Sequence, residues 1–188
     1  AVEVAGVEVG AGADWASLLD LGVPVTVEIP RDGFAAALDE VADASHQAKG
    51  NPLVQAKFRT GATETWAWPD EEELAGFVIA CLDRDLPFKL TGGLHHALRA
   101  NHPGPDGGPQ HGILNVLAAV HLAAQGAPVS VVEGLLATRA SAPLVDVLTV
   151  LTMEGVGRLR RAFTAYGCCN VLDPLGDLAA LGLIDKEH

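Results

Sequence analysis

The chain has 188 residues, enough for one buried core and too few for two ordinary domains. Its net charge of −12, with 12 Lys and Arg that read as scattered along the chain, opposes a nucleic-acid partner, whose phosphates call for concentrated cations. Only 5% of residues are aromatic and 19% are charged, while Ala, Val, Leu and Gly dominate, so the composition is that of a folded protein rich in small aliphatic side chains.

Strand-like runs alternate with helical patterns, the signature of a parallel sheet with crossover helices. The runs are Ala1–Val9, Val23–Ile29, Leu53–Arg59, Pro87–Thr91 and Phe163–Asn170. Helices are predicted over Asp32–Ala48 and over Pro69–Asp83, where Pro69, Asp70 and Glu71 to Glu73 suit a first helical turn. The Gly/Pro segment 101–110 is neither helix nor central strand and is expected to be a flexible loop. His111–Gln125, Val129–Thr138 and Asp173–Leu183 read as helices, and Ala142–Phe163 as helix without a defined division. The expected architecture is one α/β domain over residues 1–188, a partial (β/α)8 TIM barrel carrying its last five strands. The chain opens directly on a strand-like run, so the N-terminal strands of such a barrel are expected to lie outside it.

The uncharged stretch from Gly112 to Val132 contains Asn115, His121, Gln125, Gly126 and Pro128, and reads as two buried helices and a turn rather than a membrane span. No signal peptide is evident, and Cys81, Cys168 and Cys169 offer no disulfide framework. A cytoplasmic, reducing location is expected.

Of four lysines, Lys57 and Lys89 alone fall within strand runs. They are 32 positions apart, about one β-α-β step, which places them on neighbouring parallel strands. Alignment of Lys57-Phe-Arg-Thr-Gly61 with Lys89-Leu-Thr-Gly-Gly93 puts Lys57, Arg59 and Gly61 on one face with Lys89, Thr91 and Gly93, and turns Phe58 and Leu90 to the helices. Two adjacent ammonium groups on a low-dielectric wall favour loss of one proton, leaving an amine nucleophile near neutral pH. Glu28 and Glu3 are the expected carboxylates. They serve as proton relays in a catalytic reading, and as the lysines' ion-pair partners in a bracing one.

Lys-x-x-Thr-Gly followed one unit later by Lys-x-x-Gly-Gly, with Val27-Glu-Ile29 before them and Ala165-Tyr-Gly-Cys-Cys-Asn170 after them, resembles the last strands of deoxyribose-phosphate aldolase, a class I aldolase with a (β/α)8 barrel. That resemblance spans roughly residues 1–176 and implies Lys57 as the Schiff-base lysine with Lys89 as its proton-lowering neighbour. It also implies a phosphate bound by backbone N–H groups of Gly92, Gly93 and Gly167. Arg59, the Cys168-Cys169 pair and His95-His96 depart from the aldolase pattern. The fuller set Lys57-x-Arg-Thr-Gly, Phe88-Lys-x-Thr-x-Gly-Leu-His-His96 and His111-Gly-x-Leu-Asn115 is similar to a family of uncharacterised bacterial proteins that extend further at their N-terminus.

Arg59, Thr60, Gly61, Thr91, Gly92, Gly93, His95, His96, Arg99, Gly167 and Cys168 are therefore the candidate substrate-binding residues, with Lys57, Lys89, Glu28 and Glu3 as the catalytic set. Cys168 also reads as a small buried hydrophobe. His95, His96, His102, His111 and His121 lack metal-ligand spacing, and His121 reads as a core residue; no metal or other cofactor is assigned. The expected function is lyase or aldolase-like chemistry on a small anionic carbonyl compound. The alternatives are a non-catalytic carboxylate- or phosphate-binding protein, and a metal-dependent hydrolase built on His95 and His96. An open sheet edge makes a homo-oligomer the expected assembly.

Overall fold

β-branched runs closed by Gly, Pro or Asp become short strands, and the Ala/Leu/Val segments between them become helices, in the computed structural model of the protein, which describes residues 2–10, 12–103 and 107–185. β1 (Val7–Val9), β2 (Val25–Glu28), β3 (Val54–Arg59), β4 (Phe88–Thr91) and β7 (Phe163–Gly167) form one parallel sheet in the order β1-β2-β3-β4-β7. α1 (Phe34–Ala48) and α2 (Glu71–Asp83) connect β2 to β3 and β3 to β4. Between β4 and β7 lie β5 (Ala100–His102), β6 (Gly108–Gln110), α3 (Ile113–Ala123), α4 (Val129–Ala137), α5 (Ser141–Thr149) and α6 (Met153–Ala162), and α7 (Leu172–Ala180) follows β7.

Local chemistry sets several boundaries. Asp70 caps α2 by accepting from the Glu73 N–H at 2.9 Å, and Glu73 accepts from the Asp70 N–H at 3.1 Å, a reciprocal capping box. The helical range Ala142–Phe163, whose division the sequence left open, is two helices, the second starting at Thr152, an N-cap whose hydroxyl accepts from Gly155 N–H at 3.1 Å. The uncharged stretch is broken at Gly126, whose φ of 81° lies in the left-handed region, and no helix among the described residues is long and apolar enough to cross a membrane.

Segment 101–110 differs from the loop expected there. Its ends belong to β5 and β6, which pair antiparallel with Asn101 opposite Pro109, while residues 104–106 lie outside the described set. A two-stranded ribbon has free edges, so the missing N–H of Pro109 breaks no ladder.

The sheet has two unlike faces. Val25, Val27, Ile29, Val54, Ala56, Phe58, Phe88 and Leu90 join residues of α1 to α4 in a single apolar cluster. Phe58 stacks on Phe77 of α2 at 4.7 Å between centroids, and Phe77 meets Phe88 edge-on at 5.5 Å. Consecutive strand order with helical crossovers puts the helices on this face. The opposite face carries polar side chains on β2, β3 and β4, with Ala165 of β7 beside Lys89. Gln55 donates to the Thr26 hydroxyl at 2.9 Å and accepts from the Thr164 hydroxyl at 2.5 Å, forming a buried row from β2 to β7. Thr164 is the extra residue where the register of β7 slips against β4 between Phe88 and Lys89.

A paired-lysine candidate site

The row above Gln55 carries the charges. Lys57 on β3 and Lys89 on β4 are directly opposed in the ladder, as are Glu28 with Lys57 and Arg59 with Thr91. With Phe58 and Leu90 committed to the helix side, period-two alternation delivers both ammonium groups to the polar face. Lys57 is only 8% exposed. Its Nζ lies 3.0 Å from Glu28 Oε2 and 3.5 Å from Glu8 Oε2, while Glu8 Oε1 accepts a hydrogen bond from Lys89 Nζ. Glu28 Oε1 also faces Arg59 Nε at 3.6 Å. The hydrogen bond from Lys89, supported by the charge of Lys57, holds the Glu8 carboxyl below the ordinary carboxylate range against the opposing effect of its partial burial.

Glu8, rather than the expected Glu3, is therefore the ion-pair partner that β1 brings to the lysines. Glu3 is exposed and lies before the strand, which begins only at Val7; with Val7 and Val9 packed against the apolar core, alternation sends Glu8 to the polar face. The two lysines are thus separated by a shared carboxylate as well as juxtaposed.

Backbone contacts interlock the C-terminal ends of the strands. The fully buried Thr60 donates its hydroxyl to the Gly92 carbonyl, and the Thr60 N–H donates to Thr91 O at 2.8 Å. Gly93 has a φ of 79°, and a Cβ there would lie 2.6 Å from the Trp68 ring. Gly61 sits so close that its Cβ would stand 3.2 Å from the Gly92 carbonyl carbon. The Gly92 N–H, expected to meet a phosphate, instead donates to the Gly167 carbonyl at 3.2 Å. Cys168 follows, half-buried, and all three cysteines are free.

Other sequence candidates belong to separate clusters. The buried Arg99 pairs with Glu71 at 2.7 Å and its Nη1 lies 2.8 Å from His111 Nδ1, while His111 Nε2 lies 3.0 Å from the Pro69 carbonyl. These contacts suit a neutral imidazole that donates from Nε2 and accepts at Nδ1; burial, reinforced by Arg99, lowers His111 to about 4. Asn115 completes the cluster, accepting from Arg99 N–H at 2.9 Å and donating to Leu135 O and Thr138 O. His111 and Asn115 of the His-Gly-Ile-Leu-Asn motif therefore join the segment after β4 to α2 and α4. His96 faces Asp177 of α7 at 3.0 Å and stacks on His102 with centroids 3.6 Å apart. His95 is half-buried beside it. Among the described residues, His96 and Arg99 make these polar contacts with Asp177, Glu71, His111 and Asn115 rather than with Lys57, Lys89 or Arg59. Among the described residues, no three His, Cys, Asp or Glu side chains are placed to hold a metal ion.

Arg31 was not singled out by the sequence. Its guanidinium lies 5.8 Å from the Phe58 centroid and 5.3 Å from that of Trp66, and its buried Nη2 has no hydrogen-bond partner among the described residues. A cavity of about 80 Å³ opens between Arg31, Arg59, Glu28 and Trp66, beyond the Lys57–Glu28 pair. The proximity of a Pro-Arg step to the end of a strand carrying Glu28 is the signal that could have found it.

Comparison with protein-family models, curated proteins and solved structures returned no match.

Proposed function

We propose that this chain is a lyase or aldolase-like enzyme that forms an imine between Lys57 and a small anionic carbonyl compound. The observation carrying this reading is the opposition of Lys57 and Lys89 on adjacent parallel strands, with the Glu28 carboxylate 3.0 Å from Lys57 Nζ. In the proposed step, the free amine attacks the carbonyl carbon and a C–N bond forms; the two protons of the amine pass to the oxygen, and the C–O bond breaks to release water as the C=N bond forms. Glu28 is close enough to Nζ to carry protons in both directions. Arg59 and Arg31 border the adjoining cavity and supply positive charge for the substrate's anionic group. Glu8 is the member of the set on an edge strand and is the most exposed, so its displacement would bring the two ammonium groups into direct repulsion.

The five strands are read as part of a (β/α)8-like barrel wall, with the polar face as its interior. Supporting this are the consecutive strand order, the segregation of the core to one face, and the hydrogen bond from Lys89 on β4 to Glu8 on β1. On a flat sheet those strands stand about 14 Å apart, so the contact suits a concave polar face. The edge strands β1 and β7 make self-association the matching assembly, tested by light scattering on the eluting protein.

Borohydride reduction in the presence of short aldehydes and 2-oxo acids, followed by peptide mass mapping, tests the chemistry. An adduct on Lys57 is expected; no adduct, or one confined to other lysines, refutes it. A second reading, a non-covalent anion cradle, is favoured by the carboxylate partners of both lysines. It predicts saturable carboxylate or phosphate binding without any borohydride-trapped product.

A further inference from the structure

At the other end of the sheet, the chain leading into β3 and β4 borders a groove of about 910 Å³. Leu53, Leu82, Leu86, Pro87 and Ala123 are among its apolar lining residues. Its lining also includes Lys49 from the end of α1 and Arg158, Arg160 and Arg161 from α6, four of the chain's 12 Lys and Arg. Asp83 and Asp85 are the carboxylates among its lining residues. Arg158 pairs with Glu154 at 3.2 Å, but Lys49, Arg160 and Arg161 have no ion-pair partner among the described residues. For a chain of net charge −12, a lining with four cations against two carboxylates is a local excess of positive charge.

Cations at helix C-termini interact favourably with the helix dipole, and Arg160 and Arg161 occupy the last turn of α6. Lys49, as the C-cap of α1, gains in the same way. Its φ of 52° places a lysine in the left-handed region, which costs a non-glycine residue about 1–2 kcal/mol, although Gly50 is the next residue. Asp85 is the other non-glycine residue of positive φ among those described, with a φ of 48°, and it lines the same groove. Two helix endings thus place charged side chains, rather than glycine, around one opening.

We infer that this groove is a binding site for an organic anion with an apolar body and at least two negative charges. The apolar lining takes the body, and Lys49, Arg160 and Arg161 take the charged group, with the arginines able to meet phosphate or carboxylate oxygens in bidentate fashion. The volume suits a small organic molecule. Because the groove lies at the N-terminal ends of β3 and β4, it is distinct from the paired lysines. Thr164 connects the two regions physically, since it lines the groove and donates to Gln55, two residues before Lys57 on the same face of β3.

Calorimetric titration with 1-naphthyl phosphate at about pH 8 tests the assignment, with inorganic phosphate and 1-naphthol as charge-only and body-only probes. One naphthyl phosphate should bind per chain, at least about tenfold more tightly than either control. The double substitution Arg160→Gln with Arg161→Gln should weaken it by at least about tenfold, and Lys49→Asn, which keeps a residue suited to the left-handed region, should also weaken it. Both variants are compared after their unfolding midpoints have been matched to the parent protein. Lys57→Met should leave this binding unchanged. Absence of binding, equal affinity for inorganic phosphate, indifference to the arginine pair, or loss on Lys57→Met would each overturn the proposal.

Discussion

Removing either member of the Lys57–Glu28 pair tests whether the charge row is an energetically coupled unit. At 3.0 Å and an effective dielectric of about 20, the gross attraction is about 5.5 kcal/mol. Desolvating two largely buried ions takes back several kcal/mol, leaving an expected coupling of about 2 kcal/mol. Each single change leaves a partial partner: Glu28 keeps Arg59 at 3.6 Å, and Lys57 keeps Glu8 at 3.5 Å. Lys57→Met and Glu28→Gln should therefore each cost about 2 kcal/mol, below the range for a fully orphaned buried charge. The double variant should also lose about 2 kcal/mol rather than their sum. Urea unfolding of the four proteins at about pH 7.5 measures the cycle. Additivity within about 0.5 kcal/mol would show that the groups act independently and would refute the coupling.

Glu8→Gln should speed modification of Lys89 by an amine-directed reagent at about pH 8, because it removes the carboxylate shared with Lys57; an unchanged rate on peptide mapping counts against that bridge. Because the folded-state acidity of Glu8 lies below its ordinary range, its contribution to stability is present above the unfolded value and lost as pH falls through the folded one. Glu8→Gln should therefore flatten the acid limb of stability against pH. His111 titrates at about 4 when folded, so an unfolded chain binds an extra proton between about pH 6.5 and about pH 4, and stability should fall with decreasing pH across that window. His111→Gln should reduce that slope by up to about 1.4 kcal/mol per pH unit, read from urea midpoints at several pH values. Gly93→Ala should cost more than about 2 kcal/mol in the same assay, since it combines positive φ with a 2.6 Å approach to Trp68; a neutral result would show that the strand ends yield easily.

The five strands of the main sheet were legible because alternation, β-branched residues and turn punctuation agree over short distances. The Lys57–Lys89 register could be read for the same reason: two strands with matched Lys and Gly positions, one β-α-β step apart, have few ways to pair. Helix divisions were less legible where the signal is a single side chain. Thr152 starts α6 three residues after α5 ends at Thr149, and its capping role depends on which way its hydroxyl turns. The strands at 100–102 and 108–110 escaped because Gly and Pro punctuate loops and edge ribbons alike.

The site was legible in its facing and less so in its partners. Alternation assigns a side chain to a face, but the carboxylate that meets an ammonium group depends on where the strand begins and how strands sit in space. Starting the first strand at Ala1 favoured Glu3; starting it at Val7 brings Glu8 across to Lys57 and Lys89. The same limitation separated Arg99 from Arg59, because the segment after β4 turns away to pair with Glu71 and His111 instead of continuing along the strand mouth. It also hid the groove cations. Arg158-Leu-Arg-Arg161 looks like an ordinary helix ending in sequence, and gains significance only where α6 stops beside the left-handed Lys49 at the end of α1. Charges 109 or more positions apart in the chain become one surface through three-dimensional crossover geometry, a relation that no local spacing rule encodes.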